Sequence, residues 1–146
     1  MSGLAMEETR AKAPWHLWVI GILAVLWNSS GAYTIVMAQQ GMLAGVSAGE
    51  AAYYAAQLPW FVAVTDVALL GGILGGLALL LRSRMAVVLF AISLVAIVAT
   101  NGYDLAMGTS RMFTNTTTVM VTCLIWVLAI VQFLYAMAMK KHGVLR

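Results

Sequence analysis

The stretch WFVAVTDVALLGGILGGLALLL, from Trp60 to Leu81, contains a single charged side chain, Asp66. About 20 predominantly apolar residues suffice to cross a bilayer as a helix, so this stretch is read as a membrane span. Gly71-x-x-x-Gly75 and Gly72-x-x-x-Gly76 lie within it as two overlapping small-residue pairs. At 3.6 residues per turn these glycines form a flat stripe where another backbone can approach closely. The stripe is expected to serve helix packing, inside the chain or at a homodimer seam. The pattern alone does not say whose helix fills the groove.

Working outward, Pro59 suits the first turn of that helix, where its missing N–H costs nothing. Before it, Ser47-Ala-Gly-Glu50 has the capping-box spacing: the Ser side chain accepts from an orphan N–H and the Glu reaches back. A short helix from Ala48 to Gln57 is expected, with Tyr53 and Tyr54 suited to the membrane–water interface. After the span, Arg82-Ser-Arg84 makes a tight basic turn. Three further apolar runs complete the chain, giving spans at about 15–37, 60–81, 85–105 and 118–139. The first is too long for a signal peptide and has no small-x-small cleavage site after it, so it is expected to be retained.

Composition agrees. Of 146 residues, 63% are apolar and 9% charged, against ~45–50% and ~25% for soluble domains. There are too few charges to cover a soluble core. The expected fold is an all-α, integral-membrane bundle of four transmembrane helices, a single domain over 1–146, with a short interfacial helix in the first outer loop. The net charge of +3 is scattered rather than striped, which argues against nucleic-acid binding. Of the eight Lys and Arg, Arg111 alone falls in an outer loop; Arg10, Lys12, Arg82, Arg84, Lys140, Lys141 and Arg146 share the other side. The positive-inside rule then places both termini in the cytoplasm.

Polar residues within the spans are the candidate site. Asp66 lies about two turns in from the outer end of its helix, where an ionisable group is costly unless paired or wetted. Its angular position is nearly opposite the glycine stripe, with Leu70, Ile73 and Leu77 on the same face. Asn28, close to mid-membrane, must find partners on neighbouring helices, because lipid offers none. Asn28, Asp66, Asn101, Asp104 and Thr122 are expected to converge in a polar layer in the outer half of the bundle. Thr118, Thr122, Ala129 and Gln132 form a stripe on the fourth helix. The layer reads either as a ligand site or as interhelical glue.

Other chemistries are not expected. His16 at a helix entrance and His142 in a tail cannot form an axial haem pair. Cys123 is single and is expected to be a small buried apolar residue. No Gly-rich phosphate loop, metal-spaced His/Cys set or Ser/His/Asp combination is present. Neither a cofactor, a metal nor an enzymatic reaction is therefore anticipated.

Pro14-Trp-His-Leu-Trp-Val-Ile-Gly21, Leu26-Trp-Asn28 and Gly31 together resemble the first helix of a family of small proteobacterial inner-membrane proteins. The capped loop helix before Pro59, the Gly71-Gly72 stripe and the Leu81-Arg-Ser-Arg84 turn are similar to that family too. Some members carry an automatic "sugar transporter" label. The resemblance implies a four-span inner-membrane protein and a connection with transport. Two functional expectations follow. One is small-solute binding or transport through the polar layer, with a homo-oligomer making up for the small helix count. The other is an accessory or structural subunit docked on a larger membrane complex.

Overall fold

A computed structural model describes residues 12–109 and 116–146. Residues 1–11, including Arg10 and most of the expected solvated tail, lie outside that description, as does Arg111. The described chain is all helical, with four helices long and apolar enough to cross a membrane. The five helices are, in order, α1 (Trp15–Gln39), α2 (Ala48–Ala55), α3 (Pro59–Leu80), α4 (Met85–Ala106) and α5 (Thr116–Lys141), and all but α2 are spans. It is a multi-pass membrane protein with one short helix, α2, between its first two spans.

Local chemistry sets the ends of these helices. Gly41 takes φ +67° after α1, and the Met42 N–H donates to Met37 O at 2.8 Å, a Schellman-type closure that satisfies an orphan carbonyl. Both halves of the capping box at α2 are formed: Glu50 N donates to Ser47 Oγ at 3.2 Å and Ser47 N to Glu50 Oε2 at 2.8 Å. Pro59 occupies the first turn of α3. Gly143 at φ +69° ends α5, with Val144 N donating to Met139 O at 3.0 Å.

α3 is the centre of the bundle, packed on α1 along one side and α4 along another, and α5 packs mainly on α4. The glycine stripe is in fact two stripes facing two neighbours. A Cβ at Gly71 would sit 3.1 Å from Leu89 O of α4, and one at Gly76 would sit 3.1 Å from Val25 N and 3.2 Å from Gly21 O of α1. Gly75 faces the Phe90 ring of α4, and Gly72 faces the Asn28 amide of α1. Both grooves are filled within one chain, which leaves neither for a second copy. Ser93 seals the α3–α4 contact by donating from Oγ to Ala68 O at 2.6 Å.

The end of the bundle at the α3–α4 turn is closed by the segment after α5. Leu145 and Val144 are buried there in one apolar cluster with Leu17, Leu79, Ala86 and Ala136. The segment also pairs with the turn: Arg146 N donates to Arg82 O, and Arg84 N donates to Arg146 O, each at 2.7 Å. Arg82 itself is left-handed, at φ +58°.

Backbone atoms line the Gly76 position, so little can yield there. Gly76→Ala is expected to lower stability by about 1–3 kcal/mol through overpacking. Gly102 on α4 has nothing within 4 Å of its missing Cβ, so Gly102→Ala should be neutral or stabilise by up to ~1 kcal/mol. Thermal unfolding of the two variants in detergent checks this; equal melting of Gly76→Ala and the parent would contradict the packing.

Candidate functional site

The opposite end is open. There α2, the last turns of α4 and the first turns of α5 surround a cavity of about 320 Å³, within the size range of small-molecule sites. α2 contributes Glu50, Tyr53 and Tyr54, and α4 contributes Asn101 and Asp104. α5 adds Thr118, Thr122 and Cys123, and Thr109 stands in the loop between. A second cavity of about 300 Å³ shares Tyr53, Asp104 and Thr109 and is otherwise lined by Phe61, Tyr103 and Met107 among others.

Tyr53 and Asp104 therefore stand between the two spaces. The Tyr53 hydroxyl donates to Asp104 Oδ1 at 3.0 Å, tying the loop helix to the end of α4. Burial first, and then the Asp104 charge, push the Tyr53 phenol from its ordinary 10 up to about 12. It remains a neutral donor at any physiological pH. Burial also raises Tyr54, with Glu50 adding to the effect. Glu50 moves the other way, held below the usual carboxylate range first by the Ser47 backbone N–H and then by the Ser47 hydroxyl. The residue that caps α2 thus also brings a stable negative charge to the cavity wall.

Aromatic pairs form in and beside these elements. Tyr53 and Tyr54 meet edge to face at 5.4 Å, and Trp60 meets Tyr103 at 4.8 Å and 90°, a favourable quadrupole geometry. Asn101 Nδ2 donates back to Ile97 O at 3.0 Å and Thr122 Oγ1 to Thr118 O at 2.9 Å. Each anchors to its own helix while its side chain lines the cavity. Among the described residues no group of His, Cys, Asp and Glu could hold a metal ion.

The expected single polar layer divides into three. Asn101, Asp104 and Thr122 come together in the cavity. Asn28 sits apart, between α1, α3 and α5: Nδ2 donates to Ala24 O at 2.8 Å and reaches Gln132 Oε1 at 3.5 Å. It occupies the space that Gly72 leaves. Asp66 joins neither group. It is exposed on α3, because the glycine face turned toward α1 and α4 places the opposite face outward.

Cys123 corrects a further expectation. It is exposed and lines the cavity between α2, α4 and α5 rather than packing in a core. Sequence reasoning assigned Tyr53 to the interface alone and missed its bond to Asp104. The available signal was the three-residue spacing of Glu50 and Tyr53, which puts both on one face of α2.

Because Tyr53 titrates near 10 when unfolded and near 12 when folded, its contribution to stability is present below pH 10 and lost as pH rises toward 12. Tyr53→Phe should lose about 1 kcal/mol at pH 7 with the hydrogen bond. It should also show a shallower fall in melting temperature between pH 10 and 12 than the parent. Parallel pH profiles of the two would contradict the Tyr53–Asp104 pairing.

No protein-family model, curated protein or solved structure matches this chain, so its function is read from the chemistry of the site.

Proposed function

We propose that this protein binds small polar solutes, uncharged or cationic, in the cavity under α2 on the outer face of a bacterial inner membrane, as a binding or transport component. The carrying observation is the convergence of Glu50, Asp104, Asn101 and Thr122 with two tyrosines around one space of small-solute size. Two carboxylates disfavour anions, whereas hydroxyls, an amide and aromatic rings suit polyols, sugars or amines. The described cations Lys12, Arg82, Arg84, Lys140, Lys141 and Arg146 lie toward the other end. On the positive-inside rule that end is cytoplasmic and the cavity opens outward. The resemblance to small proteobacterial inner-membrane proteins supports the same location. Binding and passage are the proposed activity, with no bond-making step. A homo-oligomer using faces other than the glycine grooves would extend a path across the membrane.

The single cysteine of the chain provides the test. Cys123 should react with a membrane-impermeant maleimide applied outside sealed cells, whereas Ser83→Cys in a Cys123→Ala background should not. Glucose, glycerol or propylamine at millimolar concentration should slow Cys123 labelling several-fold, acetate should not, and Asp104→Asn should abolish the protection. Labelling at Ser83 from outside would overturn the orientation, and absence of protection by all three solutes would overturn the binding role.

Asp66 favours a second reading. An exposed carboxylate within an apolar span is costly toward lipid and invites a donor from a neighbouring membrane helix, as an accessory subunit on a larger complex would find. Asp66 has no hydrogen-bond or ionic partner among the described residues, so Asp66→Leu should fold and melt at or above the parent temperature. On this second reading the variant also loses co-migration with a larger complex in native membrane extracts. A marked drop in melting temperature would instead make Asp66 a tie within the chain.

A further inference from the structure

The closed end of the bundle has a feature separate from the outer cavity. Arg84, Lys140, Lys141 and Arg146 are all exposed there, and the described acidic residues, Glu50, Asp66 and Asp104, lie in the loop or the helix portions toward the opposite end. The turn that carries Arg84 and the segment that carries Arg146 are held together by the fold. The two backbone bonds between Arg146 and residues 82 and 84 fix the turn against the segment after α5. Arg82 Nε donates to Val144 O at 3.1 Å, and Arg84 Nε lies 3.4 Å from Leu145 O. Leu145, buried to 1% exposure, pins the same segment from below.

A guanidinium already tethered through Nε has lost much of its rotamer freedom, so engaging an oxyanion through its outer nitrogens costs less entropy. Its planar donors match phosphate oxygens in pairs. Beside the arginines, Leu81 is 81% exposed and Met85 55% exposed. These apolar side chains flank the basic turn at the helix ends, where a span meets the headgroup level.

We propose that this junction is a binding site for an anionic phospholipid. Arg84, Arg146 and the α5 lysines hold the headgroup phosphate, Arg82 positions the turn, and Leu81 and Met85 lie along the acyl chains. Phosphate oxyanions are the shared chemistry of a lipid and of free phosphate; the flanking apolar residues select the lipid. Clustered Lys and Arg at a membrane surface attract anionic lipid, an effect weakened by salt. The site depends neither on the outer cavity nor on the orientation of the chain.

The test is thermal unfolding of the purified full chain in a neutral detergent, with phosphatidylglycerol, phosphatidylcholine or inorganic phosphate added at equal concentration. Phosphatidylglycerol should raise the melting temperature by several degrees and phosphatidylcholine should not. Arg84→Gln, which leaves the two backbone bonds between Arg146 and residues 82 and 84 in place, should weaken the response to phosphatidylglycerol about tenfold in concentration. Arg84→Lys should restore part of it. Native mass spectrometry should find phosphatidylglycerol retained by the parent and lost from the Arg84→Gln, Lys141→Gln double variant. Equal responses to the two lipids would overturn the proposal, and so would a response to inorganic phosphate as large as that to phosphatidylglycerol.

Discussion

The contact of α3 with two other backbones at once determines the shape of this protein. Within a bilayer there is no hydrophobic gain when one apolar helix meets another, so close backbone approach and the few polar contacts it brings hold the bundle together. Two glycine pairs displaced by one residue point about 100° apart on the helix, which gives α3 two flat sides rather than one. α1 takes one side and α4 the other. α5 then has only α4 as a broad partner, and it meets α1 through side chains, at Asn28–Gln132 and His16–Tyr135. A bundle closed at one end and open at the other follows from that unequal sharing of contacts.

The open end places unlike groups in useful proximity. Glu50 belongs to the cap of α2, Asp104 to the end of α4, and Thr122 to the start of α5, three local structures with separate origins. Tyr53 links the first two through one hydroxyl. Because that phenol keeps its proton, it remains a donor to the carboxylate without adding charge to the wall. The cavity is therefore anionic and rich in hydroxyls at one end of a molecule whose other end is cationic.

Much of this architecture was legible in the residues themselves. The apolar runs mark four spans by length, Ser47 and Glu50 mark the loop helix by spacing, and Pro59 marks the next start. Depth in the membrane can also be counted along each helix, which groups Asn28, Asp66, Asn101, Asp104 and Thr122 in one expected layer. Azimuth could not be counted in the same way. Asp66 shares their half of the bundle but points outward, because its direction depends on which sides of α3 its neighbours occupy. Cys123 was misread for the complementary reason: an apolar helix face looks alike in sequence whether a neighbour covers it or leaves it open. The docking of Val144 and Leu145 went unread because a short segment after a helix gives no periodicity to interpret, although an apolar pair following Gly143 is consistent with a chain reversing onto a core.

The left-handed Arg82 has a consequence for the order of assembly. A residue with a Cβ in that conformation costs on the order of 1 kcal/mol, and here the compensating bonds come from residues 144 and 146. The α3–α4 hairpin is made well before those residues leave the ribosome. Until they arrive, its turn lacks the partners that favour its final shape, and the apolar pocket above Leu79 and Ala86 has no Leu145 to fill it. Insertion of the two central spans and completion of their turn are thus separate events, and the second waits for the far side of α5.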